Sequence, residues 1–150
     1  MRLRHALFAL LPIVFACQGE ATTNTKTFPI VPIESTTFAA SLGVNLAAST
    51  KTASGLYYRD IRIGTGTTIA NGQALTVKYS GALSSGAVFD AGTYSFTIPG
   101  NVIQGWNEGL IGMKVGGSRQ LIIPASLAYG NTGAGQIPPN AVIVFTVEPQ

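Results

Sequence analysis

The rhythm of apolar and polar positions divides the chain into three parts. Residues 6–16 are an apolar run broken only by Pro12. From Gln18 to about Ser54 Thr, Ser and Ala dominate, with apolar islands at 28–33 and 38–46. From Leu56 onward a period of two takes over, the pattern of half-buried strands. Leu56 to Ile63 alternates toward its end and stops at Gly64-Thr65-Gly66. Leu75, Val77 and Tyr79 share one face, Thr76, Lys78 and Ser80 the other, and Gly81 follows. Ser84-Ser85-Gly86 reads as a turn, and Val88-Phe89-Asp90 leads away from it. Tyr94, Phe96 and Ile98 alternate again up to Pro99-Gly100. Arg119 to Ile123 is a strand ended by Pro124, and 128–139 is loop. The last strand spans 141–147, with Ile143, Phe145 and Val147 on one face.

One stretch breaks this period. Asn101 to Leu110 carries the sole tryptophan, Trp106, and two glycines four apart, Gly105 and Gly109. Read as a short helix, it places both glycines on one face. Each glycine costs about 1 kcal/mol against alanine in a helix, so the pair predicts a close approach of the helix to a sheet. Val102, Ile103, Trp106 and Leu110 supply its apolar side. Five or six strands, one short helix and no alternating crossovers predict an α+β domain. Its expected form is a curved antiparallel sheet wrapped around the helix.

Composition narrows the chemistry. Nine Lys and Arg stand against six Asp and Glu, and two of the nine are Arg2 and Arg4 in the first five residues. The remainder is close to neutral, which argues against a nucleic-acid partner. The one histidine is His5 and the one cysteine Cys17. Beyond Cys17 no Ser–His–Asp triad, Cys–His pair, internal disulfide or His/Cys metal site can be built. No metal and no cofactor is expected.

Residues 1–16 have the basic start and apolar run of a signal peptide. Its end, Val14-Phe15-Ala16-Cys17, resembles the lipobox of bacterial lipoproteins. That resemblance implies lipidation at Cys17, export, and a membrane held through the lipid anchor alone. In a Gram-negative cell the absence of Asp after Cys17 points to the outer membrane. Residues 17–54 are then a tether carrying the lipidated cysteine, with a weak helix over 39–48 at most, and 55–150 the globular domain; whether the two apolar islands of the tether dock on that domain is left open by the sequence.

Within that domain five blocks occur in order: Val77-Lys78-Tyr79-Ser80-Gly81, Val88-Phe89-Asp90, Val102-Ile103-Gln104-Gly105-Trp106, Leu127-Ala128-Tyr129-Gly130 and Ile137-Pro138-Pro139-Asn140-Ala141. Together they resemble the FKBP-type peptidyl-prolyl cis-trans isomerases. The resemblance implies a rotamase acting on proline-containing polypeptides, with macrolides as inhibitors. It implies that Trp106 floors an apolar pocket, walled by Tyr79, Phe89, Tyr94, Val102, Ile103, Tyr129, Ile137 and Phe145. The Tyr129 hydroxyl and Ile103 N–H would donate to substrate carbonyls, with Asp90 as the carboxylate at the edge. Only Ala91, Gly92 and Thr93 separate Asp90 from Tyr94. Many members carry a longer segment there, with a basic partner for the carboxylate. A binding module or chaperone of the same fold, with little turnover, is the alternative reading.

Overall fold

The computed structural model describes residues 27–150; the leader, the apolar run and Cys17 lie outside the described residues. Six strands form one sheet: β1 (Thr50–Lys51), β2 (Tyr57–Arg62), β3 (Ala74–Leu83), β4 (Val88–Thr97), β5 (Ser118–Ile123) and β6 (Ile143–Pro149). Their order across the sheet is β1-β2-β5-β6-β3-β4, and every neighbouring pair is antiparallel. The single α-helix among the described residues is α1 (Gln104–Gly109). This is the expected α+β architecture of a curved antiparallel sheet with one short helix.

Two strands run further than the apolar pattern alone indicates. β3 continues through Gly81 to Leu83 instead of ending at Ser80. A Cβ on Gly81 would stand 2.5 Å from Phe145 Cε1 and 2.9 Å from Phe89 Cε2. Glycine is there so that two rings can lie across the strand, not to end it. β4 is one strand of ten residues. Its polar middle, Ala91 to Thr93, has no strand signal of its own but pairs with Ser80, Tyr79 and Lys78 of β3. Pairing overrides propensity here.

The helix behaves as its glycines predict. A Cβ on Gly105 would meet Ile123 Cγ2 at 2.6 Å, and one on Gly109 would meet Leu121 Cδ2 at 2.7 Å. α1 therefore lies directly on β5, closer than any side chain at those positions allows. Leu110 and Met113 follow it into the core, with Leu121, Ile123, Ile143, Phe145 and Val147 of the same sheet face. Arg119, also buried, fastens the helix end. It donates to the Gly109 and Ile111 carbonyls at 2.9 and 3.3 Å and makes a two-point pair with Asp60, at 2.7 and 3.0 Å. Its guanidinium sits over the Tyr58 ring, 4.6 Å from the centroid.

The spacer expected over 17–54 is not what residues 27–54 form. Ile33, with Phe38, Leu42, Val44 and Leu46 around it, packs on Tyr57, Ile122, Val142 and Val144, on the sheet face opposite α1. Three 3-10 turns shape the segment, at Ile33–Ser35, Ala40–Leu42 and Leu46–Ala48; the last two stand where a weak helix was expected. Backbone and side-chain bonds tie it down: Ala39 N–H to Ser84 O, Gln120 Nε2 to Leu42 O, Arg59 Nη2 to Gly43 O and Asn140 Nδ2 to Phe28 O. The physical reason is that β5 is buried at all six positions. A strand buried on both faces needs a cover on both, and α1 covers only one.

Glu34 locks this cover. Its carboxylate accepts from Lys51 Nζ and the Tyr57 hydroxyl. Those two hydrogen bonds, Lys51 first, hold its pKa at about 2, against an ordinary 4.5. A depressed carboxylate contributes its stability in full above the ordinary value and loses it as pH falls through the folded one. Urea melts should therefore weaken between about pH 4.5 and 2, and less so in Glu34→Gln. At neutral pH Ile33→Ala should cost about 2–5 kcal/mol, the range for truncating a buried isoleucine. A melt unchanged by Ile33→Ala would return the segment to the role of a spacer.

Candidate active site

Concave curvature of the sheet over α1 leaves a cavity of about 320 Å³, lined by Tyr79, Asp90, Tyr94, Asn101, Val102, Ile103, Trp106, Tyr129 and Phe145. Each element delivers its part by the alternation already described. β3 presents Tyr79 on the face it shares with Leu75 and Val77, and β6 presents Phe145 between Ile143 and Val147. β4 presents Asp90 and Tyr94 at the mouth. The residues leading into α1 bring Asn101, Val102 and Ile103, and the helix sets Trp106 at the base.

Trp106 is only 5% exposed and is met by three rings. Tyr79 lies 5.1 Å away at 74°, Phe145 5.2 Å at 84°, and Phe96 6.0 Å at 39°. Edge-on and tilted packing of this kind is the favourable geometry for aromatic quadrupoles and locks ring orientation. Trp106 Nε1 is buried with no hydrogen-bond partner among the described residues. Tyr94 stacks on Phe96 at 5.9 Å and is itself 44% exposed, so it forms the rim and not the floor.

Two expected wall residues take other places. Phe89 is not among the lining side chains; it packs edge-on behind Phe145 at 5.6 Å and supports that ring. Ile137 is buried in the core, and its backbone bonds both ways with Ala134. It anchors the loop that carries Tyr129 instead of facing the cavity. Asn101 lines the cavity and Phe96 backs its floor, and neither was singled out from sequence. The alternation of Tyr94 and Phe96 held the signal for the second; Asn101 carried none.

The polar groups are few, and two of them are phenols. The Tyr79 hydroxyl donates to Asp90 Oδ2 at 2.9 Å. That bond to Asp90, then burial, raises the Tyr79 phenol above its ordinary value of 10. Burial, then the Asp90 charge, raises Tyr129 likewise. Both phenols therefore remain protonated donors through the neutral range. Among the described residues no hydrogen-bond acceptor meets the Tyr129 hydroxyl, nor the Ile103 N–H, so both are open to a bound group. No Lys or Arg pairs with Asp90 among the described residues; its partner is a phenol.

The family model for FKBP-type peptidyl-prolyl cis-trans isomerases matches residues 65–149. The chain belongs to that family. Among curated FKBP relatives it is similar to FK506-binding protein 4 of Rhizopus delemar, 47% identical over 105 residues, 66% of this chain. It spans 28% of the length of that relative. It is also similar to an FK506-binding protein of Neisseria meningitidis serogroup B, 44% identical over 101 residues, covering 63% of this chain and 93% of the relative. Among solved FKBP structures it resembles FkpA from Escherichia coli, at 37% identity and a TM-score of 0.63, covering 68% of this chain and 50% of that one. AtFKBP13 matches at 36% identity and a TM-score of 0.64, over 67% of this chain and 95% of that one.

The matched region takes in every residue that lines the cavity, from Tyr79 to Phe145. It begins after residues 27–54, so the cover on the opposite sheet face lies outside what this FKBP chain shares with the family model.

Proposed function

We propose that this chain accelerates cis–trans isomerisation of X–Pro bonds in exported polypeptides, by holding the twisted imide in its aromatic cavity. The observation that carries the reading is the ring set around Trp106: a largely apolar cavity of about 320 Å³ with one carboxylate at its mouth. The uncatalysed barrier of about 18–20 kcal/mol is the resonance that keeps the peptide bond planar, and X–Pro exchange takes roughly tens to hundreds of seconds at room temperature. No covalent step is needed. A site accelerates the rotation by binding the twisted bond more tightly than either planar isomer.

Each residue has a part in that preference. Trp106, Phe145 and Tyr79 exclude water from the proline ring. A twisted amide has less charge separation than a planar one, so an apolar cage disfavours the ground states more than the transition state. The Ile103 N–H and Tyr129 hydroxyl donate to carbonyls of the flanking residues and fix the backbone while the bond turns. Asp90 keeps the Tyr79 ring in place through its phenol.

The expected outcomes separate this account from acid–base chemistry. Isomerisation of a short X–Pro peptide should vary little from about pH 6 to 8, since the phenols stay protonated and residues 18–150 hold no histidine or cysteine. Asp90→Asn should stay within about fivefold of wild type, the worth of one hydrogen bond. Phe145→Leu should lose roughly tenfold or more, because its ring packs against three others. Melts of both variants check the fold. A dead Asp90→Asn beside an active Phe145→Leu would mean that the carboxylate takes part in the bond rotation directly.

Export and anchoring belong to the same proposal. Cys17 closes the apolar run at the position where a lipid-modified cysteine becomes the first residue of a mature lipoprotein. The chain then works on the far side of the membrane, held by lipid at Cys17. Cys17→Ala should abolish incorporation of labelled acyl chains in cells, and undiminished labelling of that variant would contradict the anchor.

A further inference from the structure

β4 is the last strand of the sheet, and its outer edge is paired with nothing among the described residues. The hydrogen bonds around it tell which groups that edge leaves open. Gln150 N–H donates to Thr76 O at 2.9 Å, so the backbone polar groups of Thr76 face β6. Successive residues of an antiparallel strand turn those groups to opposite sides, so Leu75, Val77 and Tyr79 turn theirs to β4. The end of the ladder agrees, where Ile98 N–H donates to Gln73 O at 3.0 Å. Leu75, Val77 and Tyr79 lie opposite Phe96, Tyr94 and Gly92. Those three use their backbone groups on β3, and Ala91, Thr93 and Ser95 point theirs outward.

The side chains suit a second chain lying along this edge. Asp90 and Tyr94 line the cavity mouth, and between them stands Gly92, bare, with the Tyr79 hydroxyl 3.8 Å from where its Cβ would be. Every residue from Asp90 to Ser95 is exposed. The only register shift between β3 and β4 lies between Gly81 and Ala82, so the ladder is regular from Asp90 to Thr97. Edge strands ordinarily block unwanted pairing with Lys, Pro or short length. The other edge of the sheet does so: β1 has two residues, and one is Lys51. β4 has ten residues and no Lys, Arg or Pro.

We propose that the edge of β4 from Ala91 to Ser95 takes the extended residues flanking the substrate proline as an added strand. This rests on the isomerase reading and gives that site its substrate class: polypeptide in extended conformation, recognised through its backbone. The occupant follows from continuity. A chain with its proline in the cavity passes between Asp90 and Tyr94, and the outward groups of Ala91 and Thr93 lie in that gap. Their two-residue spacing, about 6.8 Å in an antiparallel strand, matches the repeat of an extended partner. Backbone pairing is blind to side chains, so the edge favours unfolded segments of many sequences.

The test uses the full chain and two X–Pro substrates, a tetrapeptide and a decapeptide with the proline at its centre. Wild type and Thr93→Ala, which keeps the outward N–H, should prefer the decapeptide in kcat/KM by about fivefold for each added hydrogen bond. Thr93→Pro removes that N–H without taking a bond from β3, and its preference should fall toward one. In wild type, amide exchange at Ala91 and Thr93 should slow when the decapeptide binds. The proposal is overturned if wild type shows no length preference, if Thr93→Pro keeps it, or if those amides stay unprotected. It is also overturned if Thr93→Pro changes only the sedimentation of the protein, which would give the edge to a second copy. Failure to isomerise either peptide would instead remove the isomerase reading, and amide protection by the decapeptide would still report on the edge.

Discussion

Contact between α1 and β5 is the constraint from which the site follows. Two glycines remove the side chains that would hold the helix off the sheet, and Ile123 and Leu121 fill the space. The approach fixes the height of Trp106 above the strands, and that height decides whether Tyr79, Phe96 and Phe145 can all reach the indole. The helix has only six residues, too few to be stable alone. It persists because the core holds it, and because Arg119 accepts the cost of burial to bind the carbonyl of its last residue, Gly109, and that of Ile111 just beyond. A buried guanidinium is favourable only when fully partnered; Asp60 and the two carbonyls supply that, and the Tyr58 face adds to it.

The same sheet must be closed on its other side, and residues 27–54 close it. The strands that carry Tyr79 and Phe145, β3 and β6, and the strand under the helix, β5, depend on a common layer whose reverse face is apolar. Ile122 and Val144 sit between the two layers, directly behind Leu121, Ile123 and Phe145. A change in the cover therefore reaches the cavity through one thickness of sheet. The bond from Asn140 Nδ2 to the Phe28 carbonyl adds a second route, because Asn140 N–H also holds the Gly130 carbonyl next to Tyr129.

Much of this was legible before any coordinates. Period-two runs placed β3 and β6 and the faces of Tyr79 and Phe145, the apolar run stopped by Pro124 placed β5, and the Gly105–Gly109 spacing gave the close helix. What failed to show has physical reasons. The middle of β4 is held by pairing with β3, and pairing leaves no mark on Ala91, Gly92 or Thr93 themselves. Phe89 and Ile137 are apolar and near the site in sequence, but whether such a side chain faces a cavity or supports a neighbour is a matter of packing. Docking of the apolar islands stays undecided in the sequence because Ser, Thr and Ala outnumber the anchors, although the unbroken apolar run from Leu121 to Ile123 asks for a second layer.

The central claim is that isomerisation depends on the height of Trp106, set by a helix without side chains on its inner face. Gly105→Ala tests it directly, since the added methyl would meet the Ile123 side chain at 2.6 Å, and that side chain or the helix must shift. Overpacking of this kind costs about 1–3 kcal/mol, which a cooperative melt can survive. The measurement is kcat/KM on a short X–Pro peptide, at a temperature where the melt shows the variant folded. A loss of roughly tenfold or more, equivalent to about 1.4 kcal/mol in the barrier, is the predicted result. Wild-type activity in a folded Gly105→Ala protein, with Trp106 displaced, would contradict it.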